Sequence, residues 1–236
     1  MKKTEVLAII PARGGSKGIP NKNLIDLCGK SLIQYTIDAA QSSRMICRTI
    51  LSSDSDAIIQ YCKAQGVEVP FQRPDRLAQD ETLMMDVVRH CLDYLETSEN
   101  YKPDIVVILQ PTSPLRRAKH IDDALSLLEE TGADSVVSVV SVPHHYNPVS
   151  VMKIVDGRLV SYLQGEGTGK LRRQDKPTVY ARNGAAVYAV RRTTIIDDNS
   201  LFGDDSRPLI MDHEESVDID TLFDLQVAES LLAKRQ

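Results

Sequence analysis

The 236-residue chain has no tryptophan and only three phenylalanines, so the core it builds must rest on aliphatic side chains. Its four cysteines, Cys28, Cys47, Cys62 and Cys91, form no C-x-x-C pair and have no histidine at zinc-finger spacing. That argues against a disulfide-stapled or zinc-built module and predicts reduced, mostly buried thiols, as expected of a cytoplasmic protein. Long apolar runs are missing as well. "VLAII" (6 to 10), behind Lys2 and Lys3, stops at Pro11 and Arg13 with no small-residue cleavage site, which is too short for a secretory signal. No stretch reaches the length that spans a bilayer, so no membrane role is expected. Nor is there an excess of positive charge: 28 basic against 33 acidic residues give a net charge of -5, and no global field draws the chain to nucleic acid. Internal repeats and low-complexity tracts are lacking.

What remains is an ordinary globular composition, 42% hydrophobic and 26% charged, enough for one full core. Short β-branched runs alternate with amphipathic helical patterns. Strands are expected at 6 to 10, 48 to 54, 67 to 71, 104 to 110 and 135 to 142, and helices at about 31 to 42, 55 to 65, 82 to 96 and 119 to 131. On the last of these helices Ile121, Leu125 and Leu128 share one face. Strands that read as continuous apolar runs are covered on both sides, which predicts an α/β fold with a mostly parallel sheet flanked by helices. Residues 143 to 182, rich in Pro, Gly and charge, break the alternation, and "VMKIVDGRLVSYL" within them reads as a hairpin turning at Asp156 and Gly157. The expected division is therefore a core of 1 to 142 plus 183 to 236, with 143 to 182 as an inserted dimerisation flap. "AAVYAV" (185 to 190) resumes the strand signal. A last helix is expected from Thr221, with Thr221 and Asp224 at capping-box spacing and Leu222, Leu225 and Leu232 as its apolar stripe.

The stretch "IPARGGSKGIPNKNL" (10 to 24) follows the first strand and holds three glycines and three cations without one acidic side chain. In an open α/β sheet, ligands bind beyond the carboxyl ends of the strands, which is where this loop must lie. Gly14, Gly15 and Gly18 would let backbone N–H groups turn toward a ligand, and Arg13, Lys17, Lys22 and Lys30 would add charge, a combination suited to a polyphosphate. The bland alternative is a solvated loop with its cations in water. Two familiar phosphate motifs fail. "CGKS" (28 to 31) ends like a P-loop but has Leu24 where that pattern needs glycine, and no G-x-G-x-x-G is present.

Near the other end, "ESVDIDT" (215 to 221) alternates Val217 and Ile219 with Asp218 and Asp220. If extended, it puts both carboxylates on one face about 7 Å apart, at about 3.4 Å per residue. Such a pair suits magnesium, which takes one or two protein carboxylates together with waters and substrate phosphates. Equally, Asp220 could simply cap the final helix and Asp218 face water. A triphosphate held by the cationic loop and a magnesium ion would be set up for attack on phosphorus with loss of pyrophosphate.

Four blocks, "IPARGGSKGIPNKNL", "LQPTSPLR" (109 to 116), "YARNGAAVY" (180 to 188) and "SVDIDTLFDLQVAE" (216 to 229), resemble the acylneuraminate cytidylyltransferases, the CMP-sialic acid synthetases and their close relatives. They span nearly the whole chain in that family's order. The resemblance implies transfer of CMP from CTP to the anomeric hydroxyl of a nonulosonic sugar acid, a Rossmann-like core, and a homodimer whose partner subunit reaches into the sugar site. It implies that Arg13, Ser16, Lys17, Lys22, Asn23 and Arg73 hold CTP, with Arg13, Lys17, Lys22 and Asp220 serving catalysis. Asp218 and Asp220 would bind Mg2+, and Gln110, Thr112 and Ser113 would contact sugar or nucleotide.

The acceptor carries a carboxylate, so two anions must be brought together. Arg116, Arg182 and, from the partner subunit, Arg173 are candidates to pair with it, because guanidinium forks match carboxylates bidentately. The attacking hydroxyl must also lose its proton, to a metal-bound hydroxide or a nearby side chain. His144 and His145 correspond to a histidine pair of the family and are read as structural or sugar-adjacent. "NPVSVMK" (147 to 153) departs from the sialic acid enzymes toward the legionaminate type, and Leu201 and Phe202 are candidates for an apolar wall around an N-acyl group. The eight-carbon 3-deoxy-manno-octulosonate cytidylyltransferases and a catalytically silent nucleotide-binding protein are the competing readings.

Overall fold

The structure is a computed structural model and describes residues 4 to 163 and 172 to 235. In chain order the elements are β1 (Val6–Pro11), β2 (Asp26–Leu27), β3 (Lys30–Ser31), α1 (Leu32–Gln41), β4 (Arg48–Ser52), α2 (Asp56–Ala64), α3 (Met84–Glu99), β5 (Ile105–Ile108), α4 (Ala118–Thr131) and β6 (Ser135–Ser141). There follow β7 (Met152–Val155), β8 (Arg158–Ser161), β9 (Tyr180–Arg182), β10 (Tyr188–Arg191), α5 (Arg192–Ile196), β11 (Ser206–Ile210) and α6 (Leu222–Ala233).

The main sheet runs β11-β6-β10-β5-β1-β4, with β9 also paired to β6. β1 is parallel to β4 and β5, and β6 to β11, whereas β9 and β10 run against their neighbours. The sheet is thus mostly parallel, as its unbroken apolar strands demand; β1 is buried along its whole length. Helix α4 closes one face through Ile121, Leu125 and Leu128, and α3 closes the other through Val88, Cys91, Leu92 and Leu95. The cores on both faces are mainly aliphatic, with Tyr188 buried on the α3 side and Phe71 and Tyr101 packed against that cluster.

Three expectations change. Residues 67 to 71 form no strand: Glu68 makes one isolated bridge to Ile50, because Pro70 and the nearby Pro74 have no N–H to extend a ladder. β11, unforeseen, carries Pro208 and is tolerated because it is an edge strand bonded only to β6. On α6 the buried stripe is Leu225, Ala228 and Leu232, while Leu222 is exposed. The hairpin was placed correctly: β7 and β8 pair around Asp156 (φ 50°) and Gly157 (φ 73°), the two left-handed residues a tight hairpin turn needs. This hairpin is a separate two-stranded sheet, while β9, inside the expected insertion, belongs to the main sheet.

Candidate active site

Two buried isoleucines bring the charged ends of the chain together. Ile19 sits in the middle of the cationic loop and Ile219 between the two aspartates. Both are buried in one apolar cluster with Leu27, Leu32, Leu115, Leu225 and Leu232. Each such burial is worth about 1.5–3 kcal/mol, enough to fix where the neighbouring charges point. Polar contacts then set the register. Ile219 N–H donates to the Thr112 carbonyl at 2.8 Å, and Lys22 Nζ donates to the Ile219 carbonyl at 2.6 Å and to Asp220 Oδ1 at 3.0 Å. Gly18 packs so closely on the Asp220 carbonyl that an added Cβ would collide with it.

The result is a cavity of about 540 Å³ lined by Arg13, Ser16, Lys17, Lys22, Asn23, Arg73, Gln110, Thr112, Asp218 and Asp220. The cationic loop and the aspartate pair, some 200 positions apart in the chain, face the same space. Asn23 is buried and donates through Nδ2 to the Arg13 carbonyl at 2.9 Å, holding the loop's backbone. Arg73 is buried and anchored through Nε to Ser52 Oγ at 3.0 Å and through Nη2 to the Ser52 carbonyl at 2.5 Å. Burial lowers its pKa from the usual arginine value. Arg13 and Lys17 both meet Asp80, Arg13 at 2.7 Å. Lys30 is turned elsewhere and pairs with Asp38 at 2.7 Å.

The loop glycines act differently from expectation. None of Gly14, Gly15 and Gly18 has positive φ, and Gly14 N–H is taken by Asp54 Oδ1 at 2.9 Å. Gly14 and Gly18 matter for the space they leave, against Ser55 and the Asp220 carbonyl respectively.

The structure removes the capping role considered for Asp220. Helix α6 is capped by Thr221, whose Oγ1 accepts from Asp224 N–H at 3.3 Å while Asp224 Oδ2 accepts from Thr221 N–H at 2.8 Å. Asp220 is therefore released from capping and faces Lys22. Asp218 is half-buried, and its Oδ1 is buried with no hydrogen-bond partner. Burial, reinforced by the charge of Asp220, raises its pKa above the ordinary aspartate value. Gly184, at φ 70° in the break between β9 and β10, presses on the Asp218 carboxylate and leaves no room for a side chain. An orphaned buried carboxylate oxygen beside a second carboxylate is a donor set for a hard divalent cation. Among the described residues no group of three or more His, Cys, Asp or Glu is gathered for a metal, so a cation here would complete its shell with ligand oxygens and water.

A second cavity of about 650 Å³ adjoins the first, sharing Met84 and Gln110 with it. Its walls include Arg182, Tyr188, Leu201 and Phe202. The Arg182 guanidinium lies 5.2 Å from the centre of the Phe202 ring, so a cation in this largely apolar space is held by a ring face.

Other expected residues fall outside the cavities. Arg116 is corrected from ligand to strut: it is buried, and its guanidinium donates to the carbonyls of Gln110 at 3.0 Å and Ala186 at 2.8 Å and to the Thr36 hydroxyl. A side chain whose donors bind the backbone behind the wall has no fork to offer a substrate. Ser113 is fully buried behind the same wall. Arg173 opens a short 3-10 turn, Arg173–Asp175, and its side chain lies outside the described residues. His144 and His145 stack edge to face at 5.2 Å and line neither cavity.

Sequence reasoning missed Asp80, Met84 and Gly184 in the walls, and also a buried tie behind the aspartates. Glu215 is bound by Arg117, by His120 Nε2 at 3.0 Å and by Arg235 at 3.5 Å. His120 Nδ1 accepts from the Arg117 N–H at 3.2 Å, so its single proton sits on Nε2, and burial with the nearby Arg117 charge lowers its pKa to about 4.

Residues 7–225 match the family model described as Cytidylyltransferase. The chain belongs to the cytidylyltransferase family. It is 31% identical over 235 residues to post-translational flagellin modification protein B of Campylobacter coli, covering 98% of this chain and 97% of that protein. It is 34% identical over 236 residues to the CMP-N,N'-diacetyllegionaminic acid synthase of Legionella pneumophila, covering 98% and 97%. It is 31% identical over 233 residues to the N-acylneuraminate cytidylyltransferase of Escherichia coli, covering 99% of this chain but 53% of that longer enzyme. A solved CMP:2-keto-3-deoxy-manno-octonic acid synthetase complexed with CTP superposes with a TM-score of 0.72 at 19% identity, covering 99% of this chain and 100% of that one, a likeness of fold. The cytidylyltransferase is thus a nucleotidyltransferase on a Rossmann-like sheet, and no helix among its described residues is long and apolar enough to cross a membrane.

Proposed function

We propose that this cytidylyltransferase moves CMP from CTP to the anomeric hydroxyl of an N-acylneuraminate-type nonulosonic acid, sialic or legionaminic, releasing pyrophosphate. The observation that carries the reading is the meeting of the cationic loop and the Asp218–Asp220 pair in one cavity that adjoins a second, largely apolar one. Arg13, Lys17 and Lys22 bind the triphosphate, and Arg73 and Asn23, both buried and pinned, keep the loop and its charge in place. Preorganised cations of this kind stabilise charge as it moves onto the departing pyrophosphate and cost nothing to reorient. Gln110, on the wall shared by both cavities, and Thr112 orient the reacting ends. Arg182 receives the acceptor carboxylate, while Leu201, Phe202 and Met84 enclose an acyl group. Asp218 and Asp220 would hold Mg2+, which when bound supplies charge neutralisation and an acidified water.

The identity of the relatives supports the acceptor class, and the apolar second cavity favours an acyl-rich acid of the legionaminate kind. The hairpin β7–β8 leaves Ile154, Leu159 and Tyr162 exposed, which supports a second copy of the chain as its cover and residues 143 to 182 as the dimerisation flap on the core. Arg173 of the partner subunit would then approach the sugar. All four cysteines are free, which supports a cytoplasmic enzyme, although Cys28 and Cys47 are exposed and only Cys62 and Cys91 are buried as expected. Pyrophosphate release from CTP and Mg2+ should be measured with neuraminate, legionaminate, pseudaminate and octulosonate acceptors. The reading requires turnover with a nine-carbon acid; turnover with octulosonate alone would replace the acceptor, and none with any acceptor would leave a silent nucleotide-binding protein.

A further inference from the structure

The cationic loop meets an anion of its own. Asp80 lies on the turn between the 3-10 helix Asp75–Leu77 and α3, and its carboxylate pairs with Arg13 at 2.7 Å and with Lys17. All three line the cavity with the aspartate pair. The turn is closed by Thr82 N–H donating to the Gln79 carbonyl at 3.2 Å, and Gln79 Nε2 donates to the Asp75 carbonyl at 2.7 Å, so the backbone is anchored while the carboxylate projects into the mouth. The side chains of Lys17 and Asp80 are 80% and 40% exposed, which leaves both free to part. The contrast with Arg73 is instructive: it is buried against neutral Ser52, a fixture with no anion to give up.

We infer that Asp80 stands in for phosphate: it holds Arg13 and Lys17 in position before nucleotide arrives, is exchanged for the triphosphate on binding, and returns to compete with pyrophosphate for the same two cations. This rests on the proposed triphosphate role of the loop. A carboxylate presents two acceptor oxygens to the same donors a phosphate would use, at the same hydrogen-bond distances. With Asp80 on them, Arg13 and Lys17 stay aligned across a glycine-rich loop that would otherwise spread its charges by repulsion. A single carboxylate charge yields to a triphosphate but not readily to a ligand bearing little phosphate, so Asp80 makes the site selective for polyphosphates. The same competition loosens pyrophosphate after transfer, because Asp80 can reoccupy the cations as it departs.

The test is calorimetric titration of the full chain and its Asp80→Asn and Asp80→Glu variants with inorganic tripolyphosphate, pyrophosphate, CTP with Mg2+, and CMP. Removing two partly exposed ion pairs from the competition should tighten tripolyphosphate, pyrophosphate and CTP by roughly three- to tenfold in Asp80→Asn. CMP should change by less than about twofold, and pyrophosphate should become a correspondingly stronger product inhibitor in turnover. Asp80→Glu, which keeps the charge, should return toward wild-type affinity. Equal or weaker polyphosphate binding in Asp80→Asn would overturn the inference while leaving the triphosphate site intact. If instead wild-type protein binds neither CTP nor tripolyphosphate, or Arg13→Ala binds them unchanged, the reading beneath fails and the inference with it.

Discussion

Replacing Asp218 by asparagine should make the ligand-free protein more stable and the enzyme inactive. Asp218 Oδ1 is buried without a partner, and burial raises the pKa of the carboxyl. For an acid whose native pKa is raised, the folded state holds its proton more tightly than the unfolded state does. Stability is therefore greatest below the ordinary aspartate value and is lost as pH rises from there through the native pKa. The penalty is greatest once the carboxyl is ionised. An unsatisfied buried polar group costs about 1–3 kcal/mol, and a change of 1 kcal/mol moves Tm by roughly 2–4 °C in a domain of this size. Asp218→Asn should thus raise Tm by about 2–12 °C in chelator-treated buffer at pH 7.5. Mg2+ with CTP should stabilise the wild type by more than the variant, which keeps the cationic loop but lacks the orphaned charge a cation would satisfy. Differential scanning calorimetry in four conditions, each protein with and without Mg2+ and CTP, reads both effects. A lower Tm for the apo variant together with an undiminished ligand shift would refute the reasoning.

Gly18→Ala should lower kcat/KM by about a hundredfold with an unchanged circular dichroism spectrum, because a Cβ there collides with the Asp220 carbonyl and displaces the loop from the aspartates by a fraction of an ångström to about 1 Å; activity within twofold of wild type would rule out the close approach. His120 is held neutral with a pKa lowered to about 4, so the unfolded chain binds its proton first and stability should fall as pH drops from about 6.5 toward 4. Chemical denaturation across that window should show up to about 3 kcal/mol of loss in wild type and a flatter profile in His120→Gln. Arg116→Met should cost about 2–4 kcal/mol of stability, since three acceptors behind the cavity wall lose their donor, with KM for CTP changed less than about threefold; a large rise in KM at wild-type stability would return Arg116 to the binding surface.

The main lines of this fold were legible because local pattern and global packing agree. The buried strands Val6–Pro11 and Ile105–Ile108 are apolar throughout, and Ile121, Leu125 and Leu128 have helical spacing and are buried together. Asp156 and Gly157 announced the hairpin by the only means a sequence has, residues that tolerate left-handed φ. Segments 67 to 71 and 206 to 210 were misjudged or missed because each contains a proline: beside Pro70 only one isolated bridge forms, whereas Pro208 sits within an edge strand that pairs with β6 along its length. In the site, charge and spacing pointed to the loop and the aspartate pair, but burial could not be read from letters. Arg116 and Arg182 look equivalent in sequence, yet one is sealed behind the wall and the other stands over Phe202. Asp80 gave no signal because an isolated aspartate in "RLAQDETL" is indistinguishable from a solvated one until the fold brings it to Arg13 and Lys17.

The central claim is that one triphosphate is shared by cations from the start of the chain and carboxylates from its end. Crystals soaked with Mn2+ in place of Mg2+ together with CTP test it directly through the anomalous signal of the manganese. The account predicts a peak coordinated by Asp218 and Asp220, with the phosphates of the same nucleotide contacting Arg13, Lys17 and Lys22. Manganese bound away from the pair, or a nucleotide whose phosphates leave the cationic loop untouched, would contradict it.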